Sequence, residues 1–426
     1  MKNQWISILV VGMTMGTSWA VRGQFGHEQG AAWAAAIAAL SLVLVSMNRG
    51  WYRKVFTITL ASAIGWGMGG MISYGMIVGF GRSTSFPNAY YGLLMLFVIG
   101  ALYGLTGGGL TALTLEGSKE KRIKWAGLIS EMVAGGLLAY GFLIMQIGFK
   151  MTPPRSEAWA FCFGAGLAMV WHMARNGYHA SLRVALIAAL GAGFGFAFGN
   201  FLQTLGTVWQ IKFNMWNVME YSIGFFGGTS MAYAIFTSEW PKEVEENKRW
   251  ENRSAYLLVF AFIPLILYRE SLTYPILLNR LSFLDNTADA SLISTVLAAT
   301  LFLALAVWGW FQIPRLESNA RQKEVMLLFL FFFGIYIFIS YMVYGLFGGK
   351  TQLNHHLYVV NLLLVVAYLL TQKPDSFKSM QSRPLNLKKL AWITLVLIVV
   401  VSLLALISIN AHDGVAGARD RFEFGM

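Results

Sequence analysis

The segment VRGQFGHEQG brings four chemically active side chains into one short turn: Arg22, Gln24, His27 and Glu28. Arginine offers forked donors for carboxylate, phosphate or hydroxyl groups, glutamate accepts a proton or a cation, and histidine moves a proton near neutral pH. Because a plain hairpin needs only turn-forming residues, we predict that this segment binds a polar ligand. The alternative is an Arg–Glu pair that merely holds the turn.

Other polar side chains that interrupt apolar sequence are predicted to lie on the same side of the molecule. They are mostly basic, acidic or amide side chains interspersed with aromatic residues, a mixture suited to a hydroxyl-rich or anionic ligand. Glu220 interrupts a glycine-rich apolar stretch, where an ionisable residue is costly; an ordinary interhelical hydrogen bond is its alternative role. The further predicted substrate-binding residues are Arg82, Asn88, Arg155, Glu157, Asn200, Gln203, Glu220, Lys350, Asn354 and His355.

The sequence indicates no catalytic residue, and it leaves unknown whether the protein uses a cofactor. It contains no HExxH, Walker lysine or GxSxG motif. His355 and His356 are adjacent and would face different sides of a helix, so we predict no metal site there. Cys162 is the single cysteine, which excludes a disulfide within the chain.

The elements that position these residues are predicted to be transmembrane helices. Of the 426 residues, 57% are apolar and 12% are charged, and the mean hydropathy is +0.57, whereas soluble domains have about a quarter charged residues. Long apolar runs recur along the chain and could each cross a hydrocarbon core of about 30 Å. We therefore predict an all-α, polytopic membrane bundle of about 13 transmembrane helices, and exclude a β-barrel and a disordered chain.

The first apolar run has two possible interpretations. Lys2, the apolar stretch and Ser18-Trp19-Ala20 also resemble a cleaved signal peptide, but the run has a counterpart in the internal repeat described below.

The predicted helices lie near residues 5–22, 29–47, 55–79, 91–115, 125–147, 157–174, 182–204, 217–237, 255–268, 290–313, 325–347, 354–371 and 388–409.

The basic residues indicate how the chain crosses the membrane. Counted loop by loop, 22 of the 32 lysines and arginines lie on one side and 10 on the other. Because cytoplasmic loops are enriched in lysine and arginine, we predict a cytoplasmic N-terminus and an extracytoplasmic C-terminus in an inner or plasma membrane. The net charge of +12 is thus a topology signal rather than a sign of nucleic-acid binding.

Two glycine patterns recur in the same order, which predicts an internal duplication. IGWGMGG at 64–70 recurs 126 residues later as LGAGFGF, and LYGLTGGG at 102–109 recurs 120 residues later as SIGFFGGT. The alternative is shared glycine-rich composition. We predict a first four-helix repeat at 1–120, a second at 121–240, a cytoplasmic linker at 241–254 and a C-terminal five-helix bundle at 255–426.

Repeated helices and polar groups on one face favour a secondary transporter for a small polar or hydroxyl-rich substrate, with its site open to the extracytoplasmic face. The alternative is a transferase acting on a lipid-linked sugar or phosphate, because the topology resembles that of polyprenol-dependent glycosyltransferases. That resemblance implies an acidic or metal-binding role for Glu28 and phosphate binding by Arg22, Arg82 or Arg155, although the family's long first outer loop is missing. A third possibility is an assembly or sensor subunit. The expected partners are the bilayer and a small-molecule or lipid-linked substrate, with no nucleic acid; the oligomeric state stays open.

Overall fold

A computed structural model describes residues 2–241, 247–319, 321–346, 350–372 and 380–423, and every regular element in these ranges is a helix. This confirms the predicted all-α class. The helices are α1 (Lys2–Arg22), α2 (Glu28–Ser46), α3 (Arg49–Arg53), α4 (Val55–Gly70), α5 (Gly75–Phe80), α6 (Phe86–Glu116), α7 (Trp125–Ala139, continued by a π-helix Tyr140–Gln146), α8 (Glu157–Arg175), α9 (His179–Val208), α10 (Met215–Phe236), α11 (Arg249–Leu257, continued by a π-helix Leu258–Phe262), α12 (Ile263–Ser271), α13 (Tyr274–Arg280), α14 (Thr287–Trp310), α15 (Ile313–Asn319), α16 (Gln322–Met342), α17 (Leu353–Thr371) and α18 (Leu387–Asn410).

Within the described residues, ten helices are long and apolar enough to cross a membrane. These lengths and compositions indicate a membrane-embedded, multi-pass protein. The helix Val55–Gly70 is apolar but shorter, and α8 and α10 are not among the ten. The ten spans are Gln4–Arg22, Glu28–Ser46, Phe86–Glu116, Trp125–Gln146, His179–Val208, Arg249–Ser271, Thr287–Ser318, Gln322–Met342, Leu353–Thr371 and Leu387–Asn410.

The helices α1, α2, α4, α6, α9 and α10 close a ring in which each packs on the next, and we call this the central ring. Its neighbours approach closely because glycines leave room for a facing backbone. A Cβ added at Gly65 would overlap Thr106 of α6, one at Gly104 would overlap Ala188 of α9, and one at Gly224 would overlap Met15 of α1.

Several helices outside the ring present apolar side chains outward. Leu138 of the α7 helix, Leu303 of α14, Leu363 of α17 and Trp392 of α18 are each more than 60% exposed. Such a surface is stable when it faces lipid hydrocarbon. The α16 helix is more buried, because Trp33 of α2 stacks on its Phe332.

The predicted helix at 55–79 is wrong in its length, because the chain breaks there. The α4 helix ends at Gly70, residues 71–74 are non-helical, and α5 begins at Gly75. Glycine has low helix propensity, so the Gly69-Gly70 pair is a weak point in an apolar helix. A Cβ at Gly70 would also approach the His27 carbonyl oxygen and Ala31 Cβ, at 2.7 and 2.9 Å. The break therefore lies directly against the turn between α1 and α2.

Candidate functional site

Arg22, the last residue of α1, lies fully buried at the centre of a polar network. Its Nη1 atom is 2.9 Å from His27 Nδ1, and its Nη2 atom donates to the Tyr74 hydroxyl at 3.3 Å. Nη2 also lies 3.5 Å from Glu220 Oε2, which makes a buried ion pair. A buried charge is tolerated only when it is paired and hydrogen-bonded, and these three partners meet that condition.

Tyr74 connects Arg22 to Glu220. It lies in the break between α4 and α5, and its hydroxyl donates to Glu220 Oε1 at 2.6 Å. The second carboxylate oxygen of Glu220, Oε2, accepts no hydrogen bond from any residue that the structure describes. Arg22 Nε likewise donates no hydrogen bond within the described residues. The network thus retains one buried acceptor and one buried donor without a hydrogen-bond partner among the described residues, a feature that calls for an explanation.

His27 completes the network in its neutral form. A guanidinium group can only donate hydrogen bonds, so His27 Nδ1 must accept from Arg22 and the ring proton must lie on Nε2. Burial, together with the charges of Arg22 and Arg155, lowers the pKa of His27 to about 4. The site therefore presents an imidazole N–H donor rather than an imidazolium at neutral pH.

The network borders a cavity of about 380 Å³, which we call the end cavity. This volume is within the range of small-molecule sites. The irregular backbone of the α4–α5 break forms one wall, and the start of α10 forms another. The lining residues are Gly23, Gln24, His27, Gly70, Met71, Ile72, Ser73, Tyr74, Gly75, Arg155, Asn214, Trp216, Asn217, Glu220 and Tyr344.

A layer of buried aromatic rings packs against this network inside the central ring. The Arg22 guanidinium lies 5.0 Å from the centre of the Trp19 ring, which in turn contacts Trp66 and Tyr103. Phe196 packs edge-on against Tyr74. Solvent does not reach the rings of Trp19, Trp66, Tyr103 and Phe196. In this conformation the end cavity is therefore closed toward the middle of the bundle.

The α17 helix reaches the rim of the end cavity. The Tyr358 hydroxyl donates to Asn217 of α10 and accepts a hydrogen bond from Asn354 at 3.0 Å. Gln24 Nε2 lies 3.4 Å from His355 Nε2. The predicted residues Gln24, Asn354 and His355 are thus brought together with the Arg22 network.

Two further cavities adjoin the end cavity, with volumes of about 410 and 580 Å³. The first contacts Arg155, which also lines the end cavity, together with Glu28 and Glu157. Glu28 in turn lines the larger one, and Met71 borders all three. The predicted residues Glu28, Arg155 and Glu157 therefore lie at this junction.

The remaining predicted site residues lie elsewhere. Arg82 donates to the Ala416 carbonyl oxygen, and Asn88 bonds the backbone of residues 421 and 422, so both hold the C-terminal segment. Asn200 and Gln203 hydrogen-bond each other at 3.3 Å, buried on α9 beside α5. The Lys350 ammonium lies over the Phe283 ring.

Tyr74 is the main site residue that was not predicted. Its only signal in the sequence is its position just after the glycines of GMGGMISYG, where a helix could break. Asn214, Trp216 and Tyr344 also line the end cavity without having been predicted. Their role depends on which loops meet, and hydropathy carries no information about that.

Across the described ranges, no group of three or more His, Cys, Asp or Glu side chains is arranged to hold a metal ion. The site belongs to a helical bundle of membrane-spanning type, with a buried Arg–Glu pair beside a broken helix. No known protein family, characterised protein or solved structure matches this chain.

Proposed function

We propose that this protein is a membrane transporter whose substrate binds in the end cavity. The observation that carries the proposal is the interruption of an apolar helix, between Gly70 and Gly75, at the buried pair of Arg22 and Glu220. Transporters commonly build their substrate sites where a helix is discontinuous, because non-helical backbone at membrane depth is tolerated only around a cavity. A ligand that competes with Arg22 for the Glu220 carboxylate would also favour a second arrangement of this pair.

The groups around the cavity favour a hydroxyl-rich or anionic substrate. Glu220 Oε2 pairs with Arg22 but accepts no hydrogen bond from the described residues, His27 Nε2 offers a donor, and Asn217 supplies an amide. Sugar hydroxyls use both donors and acceptors, and Arg155 would attract a negative group.

The proposal includes the finer topology. Thirteen spans would result if α4 with α5, α8 and α10 also cross the membrane, and the bias of basic residues would then place the N-terminus in the cytoplasm. The end cavity would open to the extracytoplasmic face of an inner or plasma membrane. The glycine repeats support an internal duplication of the four-helix unit.

The first test is ligand binding by the purified full chain, since a ligand that binds the folded state raises its melting temperature. The probes are glucose, maltose, citrate and inorganic phosphate. The compound that stabilises the protein is then tested for uptake into proteoliposomes. We expect Glu220→Gln to abolish the stabilisation and the uptake.

Glu131→Gln is the matched control. Glu131 pairs with His172 at 3.1 Å and with Arg175 at 2.5 Å, near the opposite end of the bundle. This variant should keep both stabilisation and uptake. If a stabilising compound never accumulates in proteoliposomes, transport is the wrong function; equal loss in both variants would remove the end cavity as the site.

A transferase acting on a lipid-linked substrate is the second candidate. The observation in its favour is that the cavities beside Glu28 and Met71 lie between helices, and the larger one is lined mostly by apolar side chains. Transfer of a head group to an acceptor, measured with no vesicle present, would support this candidate against transport.

A further inference from the structure

The cavity of about 580 Å³ is an apolar groove between helices, which we call the side groove. One wall is a stripe with helical spacing on α4, from Leu60 to Met68, which Met71 continues just past the end of the helix. The facing wall is formed by Leu258, Phe262 and Ile266, on the continuous helical segment that α11, the π-helix Leu258–Phe262 and α12 form. The floor is made of small residues. The groove residues are Glu28, Gln29, Ala32, Leu60, Ala63, Ile64, Gly67, Met68, Met71, Leu258, Phe262, Ile263, Ile266 and Glu270.

The side groove has the dimensions and chemistry of a site for a hydrocarbon chain. The helical part of the stripe, from Leu60 to Met68, is about 12 Å long at 1.5 Å per residue, and Met71 lies just beyond it. Leu258 and Phe262, on a helix long enough to span a membrane, are 43% and 52% exposed, and Ile64, on the shorter apolar helix α4, is 47% exposed. A hydrocarbon chain in the groove would make dispersion contacts with both walls, whereas a convex surface would contact it on one side only.

One end of the side groove is polar. Gln29 donates to Glu270 at 2.6 Å, and Glu28 lies beside them. From this end, Met71 and Glu28 lead to the junction at Arg155 and on into the end cavity. The apolar and polar sites therefore form one continuous surface, with the change from one to the other at Met71.

We propose that the substrate is a lipid with a hydroxyl-rich head group. Its hydrocarbon chain lies in the side groove, and its head group passes Met71 to reach the end cavity, where Gln24, Asn217 and Glu220 bind the hydroxyl groups. Arg155 lies where a negatively charged linkage would pass; its guanidinium has no hydrogen bond or ion pair among the residues that the structure describes. This inference rests on the proposed function for the head-group site and adds the substrate class.

Photo-crosslinking of the full chain in nanodiscs tests the proposal. The probe is an alkyl glycoside that carries a diazirine near the end of its chain; the matched alkyl alcohol lacks the sugar. We expect the glycoside to label residues 60–71 or 258–266 about tenfold more than the outward face of α14, a factor that corresponds to 1.4 kcal/mol. The alcohol should label both regions alike.

Two tryptophan variants test whether the hydrocarbon chain of the probe lies in the side groove. Ile64→Trp fills the side groove and should abolish the preference, whereas Ile293→Trp, at a lipid-facing position of α14 that is 61% exposed, should leave it unchanged. Equal labelling of groove and α14 by the glycoside would overturn the inference, and so would an unchanged preference in Ile64→Trp.

This experiment separates the two proposals. Preferential labelling without any transport would leave the lipid site in place and remove the transporter function. Uptake of a free sugar or organic anion, together with absence of preferential labelling, would leave transport in place and remove the lipid substrate.

Discussion

At the residue scale, the Tyr74 hydroxyl is the atom that joins the two charges of the site. It accepts from Arg22 and donates to Glu220, although these three residues come from separate parts of the chain. Burying this ion pair, whose Arg22 Nη2 and Glu220 Oε2 atoms are 3.5 Å apart, carries a desolvation cost. The pair is tolerated only if hydrogen bonds also satisfy its other donors and acceptors. The Tyr74 hydroxyl, at the α4–α5 break, provides one such hydrogen bond to each partner.

Tyr74→Phe should destabilise the protein by about 1–3 kcal/mol, because it leaves Glu220 Oε1 buried without its donor. The measurement is the unfolding free energy in detergent. Tyr91→Phe is the matched control, since the Tyr91 hydroxyl has no hydrogen-bond partner among the described residues and its loss should cost little. Equal effects of the two substitutions would contradict a linking role for Tyr74.

His27 predicts a pH dependence with a defined sign. Its pKa is about 4 in the folded protein against 6.5 for an ordinary histidine, so the unfolded chain binds a proton between these values when the folded chain does not. The stability contributed by neutral His27 is therefore complete above pH 6.5 and is lost as the pH falls toward 4. Melting temperatures measured from pH 4 to 7 should decrease less toward acid in His27→Asn than in the parent. An equal decrease in both proteins would contradict a neutral, buried His27.

At the element scale, glycines set two features of the bundle: the close approach of the central-ring helices and the end of α4. The first removes side chains between backbones, so helices contact along their length. The second ends a helix early and exposes backbone to the end cavity. Both are effects of a missing Cβ, and they give the bundle a rigid centre with an irregular segment at its end.

Gly104→Ala should destabilise the bundle by about 1–3 kcal/mol, because the added methyl group overlaps the Ala188 backbone on α9. In Gly127→Ala, on the exposed start of α7, the methyl group meets nothing within 4 Å and should be neutral or stabilising through helix propensity. Thermal unfolding of both variants makes the comparison. A neutral Gly104→Ala would mean that α6 and α9 are further apart than described here.

At the scale of the whole molecule, the segment after α18 crosses back over the end of the bundle. Asn88 accepts from the backbone nitrogens of Arg421 and Phe422 and donates to the Phe422 carbonyl oxygen, while Ser83 bonds Asp420. The Arg421 side chain reaches the Lys150 carbonyl oxygen in the α7–α8 connection. The last described residues thus tie separate loops together.

Asn88→Ala should release this segment, because three hydrogen bonds to its backbone are lost at once. Limited proteolysis after Arg419 and Arg421 should then become faster, with intact protein followed by mass spectrometry. Asn410→Ala, which removes one exposed bond to the Leu406 carbonyl oxygen, is the control and should be cleaved at the parent rate. Protection of the segment in Asn88→Ala would show that its other contacts are sufficient.

The sequence by itself determined the all-α class and the positions of most helices, and it predicted Arg22 and His27 of the turn after α1 as candidate site residues. Hydropathy and spacing are local properties, so they report correctly on helices and on residues a few positions apart. Only the tertiary structure decided that Glu220 and Tyr74 complete the network of Arg22, that Arg82 and Asn88 hold the C-terminal segment instead, and that the helix at 55–79 breaks. Each of these depends on which distant surfaces pack together, and the energy of a buried charge is set by such partners rather than by its neighbours in the chain.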